Sequence, residues 1–194
     1  MSCLCGITEK HLQILALYTN GYDRDYYPRE IPGVISVSHG TAHKILISLE
    51  EKGVLESVTR GRTRIFRLKK TNAAVNHLLL AESYKRLKFF ESEVLAGEII
   101  YKVMPFFKGP LALFGSYSSG TTTPDSDIDL LSAGDFDKTQ VDKISKTFGI
   151  EINVKKYPGE VFTRAAKEDT LIKEMYKNHI FLKCPEFFLE AVIV

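Results

Sequence analysis

The pattern that most constrains this chain is a short apolar run that ends in Gly115–Ser116 and is followed, after a ten-residue polar loop, by Asp127–Ile128–Asp129. Leu111–Phe114 is predicted to be a buried strand. A second strand is predicted over Asp127–Ser132, and its alternation places both carboxylates on one side and Ile128 in the core. Two carboxylates that face the same way repel each other unless a cation lies between them. The pattern therefore predicts a Mg²⁺ site.

The Gly115–Ser116 step predicts a phosphate site beside the metal. Glycine lets the backbone approach a phosphate closely, and the hydroxyl and amide of Ser116 can donate to terminal phosphate oxygens. A Gly-Ser turn or an Asp-x-Asp sequence alone would be a common surface feature. Both together, on two strands separated by this loop, are much more specific.

This combination resembles the signature of the polymerase-beta-type nucleotidyltransferase superfamily, particularly its minimal nucleotidyltransferases. The resemblance covers residues 106–157 well and the remainder of the chain loosely. It implies that Asp127 and Asp129 hold two Mg²⁺ ions and that Gly115 and Ser116 bind the β- and γ-phosphates of an NTP, with ATP as the expected nucleotide. It also implies that the metals polarise the α-phosphate while an acceptor hydroxyl attacks in line.

The resemblance further implies a third carboxylate on the neighbouring strand, which is predicted over Ile150–Lys156. Asn153 takes that position in the better alignment, and an amide cannot act as a base. Glu151 lies one pleat away and is the remaining candidate for a catalytic carboxylate beside Asp127 and Asp129. Two alternatives stay open at this point. Either Glu151 substitutes and the site transfers nucleotides, or the site binds nucleotide and metal without turnover.

The first 70 residues predict three helices followed by a hairpin. The predicted elements are a helix over 7–20, a short or distorted element around Pro28–Ile35, a helix from Ser36 or Ser38 to Lys52, and strands over 54–58 and 63–68. This order, with the segment SHGTAHKILISLEEKGVL, resembles a winged helix-turn-helix over residues 7–70. The resemblance implies that the third helix enters the DNA major groove and that the hairpin, or wing, contacts the phosphate backbone.

Charge is unevenly distributed along the chain. The whole chain has 26 Lys and Arg against 24 Asp and Glu, yet no acidic residue occurs between Glu56 and Glu82. This basic block predicts double-stranded DNA as a partner. The candidate DNA contacts, at the start of the third helix and in the wing, are Ser38, His39, Thr41, His43, Lys44, Arg60, Arg62 and Arg64. The alternative is a protein-interaction module whose arginines form a solvated face.

The predicted class is α+β: a winged helix-turn-helix over 1–71, a helical connector over 72–105, and a nucleotidyltransferase-like α/β domain with a mixed sheet over 106–194. Two apolar stripes on the connector predict contacts on two sides, either with both domains or with a second copy in a homodimer. The stripes are Leu87, Phe90 and Val94, and Leu95, Ile99 and Val103. Beyond them, helices are predicted at 136–148 and 161–177, a strand at 179–183 and a turn at 186–192.

Two further expectations concern the chain's environment. Cys3, Cys5 and Cys184 are odd in number and have no CxxC spacing, so we expect reduced thiols and no zinc site. No apolar run is long enough for a membrane helix, and the N-terminus does not resemble a signal peptide. We therefore expect a cytoplasmic protein.

Three functional hypotheses follow. The first is a prokaryotic-type DNA-binding transcriptional regulator that carries an NTP–Mg²⁺-binding, nucleotidyltransferase-like domain. The second is an active transferase that moves NMP onto a protein or small-molecule hydroxyl, as an antitoxin-like enzyme would, with the winged helix as a docking module. The third is a sensor in which bound nucleotide changes DNA affinity through the connector.

Overall fold

The computed structural model describes residues 6–165 and 168–193 and divides the chain into two compact units. The first unit contains the described residues up to Ala81 together with Ile193, and the second spans Glu82–Val192. Cys3 and Cys5 lie outside the described residues, and Cys184 is a half-buried thiol that forms no disulfide with any described residue. The domain boundaries predicted at 71 and 105 stay predictions.

The first unit has the element order predicted from its sequence. It contains α1 (Glu9–Tyr18), a single 3₁₀ turn (Ile31–Gly33), α2 (His39–Glu51), β1 (Leu55–Arg60), β2 (Thr63–Leu68) and the first part of α3 (Asn72–Ser92). Ser38 begins α2 as expected, because its hydroxyl accepts a hydrogen bond from the Thr41 N–H at 3.1 Å. The middle element is only three residues long, with proline in its first turn, which confirms the prediction of a short helix there.

The hairpin is antiparallel, with Leu55 paired with Leu68 and Arg60 paired with Thr63. Gly61 makes the turn with a φ of 62°. One face of the hairpin closes the core of this unit, where Phe66 and Tyr18 are fully buried. The Tyr18 hydroxyl donates to the Phe66 carbonyl at 3.2 Å, so the ring is buried without an unpaired polar atom.

The connector consists of two helices, α3 and α4 (Val94–Val103), which meet at Glu93. Glu93 has a φ of −107° and a ψ of 67°, which ends the first helix and starts the second. A Cβ on Gly97 would lie 2.8 Å from the ring of Phe90, so only glycine lets this ring pack across the junction.

Only one of the two predicted stripes on the connector is largely buried. Ile99 and Val103 are fully buried in the second unit, whereas Leu87 and Val94 are 56% and 73% exposed. Leu95, which the sequence pattern groups with Ile99 and Val103, is also exposed, at 55%.

The second unit is built on a four-stranded mixed sheet, which confirms the α+β class. Its strands are β3 (Leu111–Phe114), β4 (Ile128–Ser132), β5 (Ile152–Lys156) and β6 (Ile180–Lys183), in the order β5-β4-β3-β6. β3 is antiparallel to β4 and β6. β4 and β5 are parallel, and α6 (Lys138–Phe148) connects them. Parallel neighbours bring the starts of β4 and β5 to the same edge, where the predicted site residues lie.

Four short helices complete this unit, and two predictions about them were wrong. They are α5 (Ser116–Ser119), α7 (Gly159–Ala165), α8 (Thr170–Lys177) and α9 (Pro185–Ile193). The single helix predicted over 161–177 is two helices, because Asp169 caps a new one by accepting from the N–H groups of Leu171 and Ile172. The turn predicted at 186–192 is α9, which buries Phe188 and Leu189.

A buried charged cluster joins α3 to the start of β6 within the second unit. Glu82 and His179 are 1% and 2% exposed, and Oε1 of Glu82 lies 3.0 Å from Nε2 of His179. The ammonium of Lys85 lies 3.0 Å from Glu82 and 3.2 Å from His179. The pKa of His179 is lowered, mainly by burial and next by Lys85. Burial likewise lowers the pKa of Lys85, while Glu82 acts against that shift.

No helix in the described part of the chain is both long and apolar enough to cross a membrane.

We expect Glu82→Ala to lower the free energy of unfolding by about 3–5 kcal/mol, because it removes a fully buried carboxylate that contacts both Lys85 and His179. Urea denaturation of the full chain measures this change. Glu91→Ala is the matched control on the same helix, since Glu91 pairs with exposed Lys88 and contributes little. Equal losses in the two variants would contradict a structural role for the cluster.

Candidate nucleotide and metal site

Gly115 brings the two halves of the predicted site into contact. It follows β3 directly, and its φ of 74° and ψ of −151° lie in a region that essentially only glycine occupies. Phe114 pairs with Asp129 across the sheet, which places Gly115 beside that carboxylate. A Cβ added to Gly115 would overlap Oδ2 of Asp129. Glycine is therefore required here both by the backbone conformation and by the space left by Asp129.

The serines after Gly115 differ in what their hydroxyls do. Ser118 donates to the carbonyls of Gly115 (2.9 Å) and Asn178 (3.0 Å), and Ser119 also donates to Gly115 (3.1 Å). Ser116 is half-buried, and its hydroxyl makes no hydrogen bond with any described residue. Of these three serines, Ser116 is the one whose hydroxyl is available to a ligand.

Asp127 and Asp129 lie at the start of β4, on either side of the fully buried Ile128. Asp127 directly precedes the strand, which begins one residue later than predicted. The pKa of Asp129 is raised, first because the carboxyl is partly buried and next because Asp127 lies nearby. A cation bound between the two carboxylates would relieve both effects. Among the described residues, however, no group of three or more His, Cys, Asp or Glu side chains is arranged to hold a metal.

On the neighbouring strand, Asn153 occupies the position at which the family resemblance implies a third carboxylate. Asn153 pairs with Asp129 in the parallel register, and its Nδ2 donates to Oδ2 of Asp127 at 3.4 Å. Glu151 is exposed and precedes β5, and its carbonyl accepts from the Ile128 N–H at 2.9 Å. Its charge is the weakest of the influences that shift the pKa of Asp129. Asn153 therefore contacts the carboxylate pair, whereas Glu151 acts on it only electrostatically.

Two residues near the carboxylates were missed by the sequence analysis. Lys155 follows Asn153 by two residues on β5, so it shares that residue's face, and its charge lowers the pKa of Asp129. Tyr117 is partly buried, and its pKa is raised mainly by burial and then by Glu93 and Asp127. Strand periodicity could have identified Lys155. The position of Tyr117 relative to Glu93 depends on tertiary packing and has no local signal.

The predicted DNA-contacting residues of α2 lie on one exposed surface of the first unit. Ser38 caps the helix, and its hydroxyl lies 2.9 Å from that of Thr41. The exposed rings of His39 and His43 stack with their centroids 6.5 Å apart. Lys44, also exposed, follows them.

The three predicted wing arginines have different surroundings. Arg64 forms an ion pair with Glu50, donates to Ser57 at 2.7 Å and lies over the ring of Phe66. Arg60 lies 3.5 Å from Asp25. Arg62, in the exposed turn, has no ion-pair partner among the described residues. Nearby carboxylates therefore compensate the charge of Arg64 most and the charge of Arg62 least.

We expect Gly115→Ala to be more destabilising than Gly120→Ala, by about 1–3 kcal/mol in the free energy of unfolding. Gly120 is the matched control: its φ is 69°, and a Cβ there meets nothing within 4 Å. Both variants carry the strain of a positive φ, which is greater at position 115 than in the left-handed conformation of Gly120, and only alanine at position 115 also displaces Asp129. Urea denaturation compares the two, and equal destabilisation would contradict the close approach of Gly115 and Asp129.

Comparison with known proteins gives a family match for part of the second unit, at residues 106–182. No curated protein sequence matches the chain. A crystal structure of AF1382 from Archaeoglobus fulgidus is 26% identical over 42% of this chain and 87% of that chain, with a TM-score of 0.34. TrmBL2, an archaeal chromatin protein, is 14% identical over 81% of this chain and 68% of that chain, with a TM-score of 0.26. Both scores are too low to support an inference. Residues 106–182, in contrast, match the family described as the nucleotidyltransferase domain.

Proposed function

We propose that this chain is a DNA-binding transcriptional regulator whose nucleotidyltransferase domain binds an NTP with Mg²⁺. The observation that supports the proposal is the close approach of Gly115 to Asp129, because a turn of the kind that can bind phosphate then lies against a carboxylate pair. Asn153 occupies the position from which a base would act, which favours binding over turnover.

The nucleotide half of the proposal follows from the chemistry of the donors. Asp127 and Asp129 present the hard oxygen ligands that Mg²⁺ prefers, and their mutual repulsion favours a cation. The Ser116 hydroxyl is available to donate to phosphate oxygens. Bound Mg²⁺ would neutralise part of the phosphate charge and polarise the α-phosphate. The protein's own groups would hold the nucleotide with its phosphates toward Gly115.

The DNA half rests on the surface of the first unit. The exposed start of α2 presents His39, His43 and Lys44, and the hairpin turn presents Arg62. A helix of this kind can enter a major groove while basic groups beside it contact phosphates. Since Arg64 is paired with Glu50, we assign the main phosphate contact of the wing to Arg62.

An active transferase is the second candidate, and it is supported by the position of Glu151, two residues before Asn153 and therefore on the same side of the chain. In this case Glu151 would accept the proton of an acceptor hydroxyl on a protein or small molecule. The α-phosphate of the NTP would bond to that oxygen as pyrophosphate leaves. The winged helix would then serve as the docking module.

Nucleotide binding is tested by equilibrium binding of each of the four ribonucleoside triphosphates with Mg²⁺. We expect the wild type to bind and Asp129→Asn to lose affinity by about tenfold or more, because a charge-assisted metal ligand is removed. Asp125→Asn is the control, since it removes an exposed carboxylate from the same loop and is expected to retain affinity. Failure of every nucleotide to bind the wild type would overturn the proposal.

Incubation of the same proteins with α-labelled NTP, Mg²⁺ and a lysate of the source organism distinguishes a regulator from a transferase. Label on an acceptor that disappears with Asp129→Asn would favour the transferase. Binding without label transfer is the result expected for the regulator.

DNA binding is tested with a mixed-sequence duplex by fluorescence anisotropy over a range of salt concentrations. We expect Arg62→Ala to weaken binding and to reduce the slope of log affinity against log salt by about one, as the loss of one phosphate contact requires. Arg67→Ala is the matched control in the same hairpin, since Arg67 is paired with Glu56. No binding to any duplex at low salt would sink the DNA half of the proposal.

A further inference from the structure

The face of β5 that lies beside the carboxylate pair carries no net charge. Glu151, Asn153 and Lys155 alternate along the chain and therefore project to one side of the strand. Asn153 is the central residue of the three and the one paired with Asp129. Its amide group donates to Asp127, so it engages the carboxylates as a hydrogen-bond donor.

This arrangement limits how many divalent cations the site can hold. Two carboxylates balance the charge of one Mg²⁺, and a second cation would have only phosphate oxygens as further anionic ligands unless the protein supplied another carboxylate. The position beside Asp129 offers a neutral amide instead. Glu151 is exposed and does not group with Asp127 and Asp129 as a metal-binding set among the described residues. The Lys155 ammonium would also repel a second cation.

Lys155 is itself suited to compensate phosphate charge. It is exposed and pairs in register with Leu131, two positions along β4 from Asp129. It makes no salt bridge with any described residue. A long, flexible ammonium on this face can reach a polyphosphate bound against the carboxylate pair.

We propose that the site holds one divalent cation for each bound nucleotide and that Lys155 supplies the remaining positive charge to the phosphates. This inference rests on the proposed NTP–Mg²⁺ binding and specifies its stoichiometry. Asn153 sets that stoichiometry, because it occupies the position where a carboxylate would have recruited a second cation.

The test counts Mn²⁺ on the full chain by electron paramagnetic resonance. The nucleotide is the non-reacting α,β-methylene analogue of each ribonucleoside triphosphate in turn. We expect one bound Mn²⁺ per bound nucleotide in the wild type and in Asn153→Ala, which removes the amide without adding charge. Asn153→Asp is expected to bind two, with the spectral broadening that neighbouring Mn²⁺ ions cause. Adding Lys155→Gln to that variant is expected to increase the affinity for the second Mn²⁺ by about tenfold, because a nearby like charge is removed.

The role of Lys155 has its own readout. We expect Lys155→Gln to weaken binding of the analogue with Mn²⁺ by about tenfold, and Lys155→Arg to retain most of the affinity. Unchanged affinity in Lys155→Gln would overturn this role. These measurements do not depend on the folding of the Asn153→Asp variant.

Two results separate this inference from the proposed function. Two Mn²⁺ ions per nucleotide in the wild type would overturn the single-cation inference and leave nucleotide binding intact. No binding of any analogue to the wild type would overturn the proposed function, and the inference with it.

Discussion

The approach of Gly115 to Asp129 is the contact on which the candidate site depends. β3 ends against the start of β4, so the turn after β3 must pass within touching distance of a carboxylate. No side chain fits between them, and no residue other than glycine readily adopts this backbone conformation. One residue without a Cβ thus brings the turn that we propose to bind phosphate beside the carboxylate pair that we propose to bind Mg²⁺. The other parts of the site are arranged around that contact.

The electrostatics of the site follow from its position at the edge of the sheet. Asp129 is partly buried beside Asp127, so its ionised form is disfavoured, as the raised pKa shows. The parallel neighbour β5 places two groups beside this negative charge. The Asn153 amide donates a hydrogen bond to Asp127, and the Lys155 ammonium lies two residues further along the strand. The position paired with Asp129 therefore offers a neutral amide and no carboxylate. These properties favour nucleotide binding more than general-base chemistry.

Much of this architecture could be predicted from local patterns, and the errors have physical causes. Leu111–Phe114 coincides with the predicted strand because an apolar run bounded by glycine has few alternatives. Ser38 begins α2 because a serine hydroxyl satisfies an otherwise unpaired N–H. The division of 161–177 was missed because Asp169 interrupts an apolar pattern that continues on both sides. α9 begins at Pro185, and proline is common at the first position of a helix. The prediction of a turn at 186–192 did not take this signal into account.

The wing shows why counts of charged residues overstate what a surface offers to a partner. The acid-free stretch after Glu56 suggested three equivalent arginines, yet Arg64 pairs with Glu50, fourteen positions earlier in the chain. That pairing depends on how the hairpin folds back on α2, so no local pattern could reveal it. The ion pair partly offsets the charge on Arg64, whereas Arg62, in the exposed turn, has no ion-pair partner among the described residues. Which arginine of this hairpin could contact a phosphate therefore depends on its position in the fold. The basic block in the sequence gives only the largest possible number of such contacts.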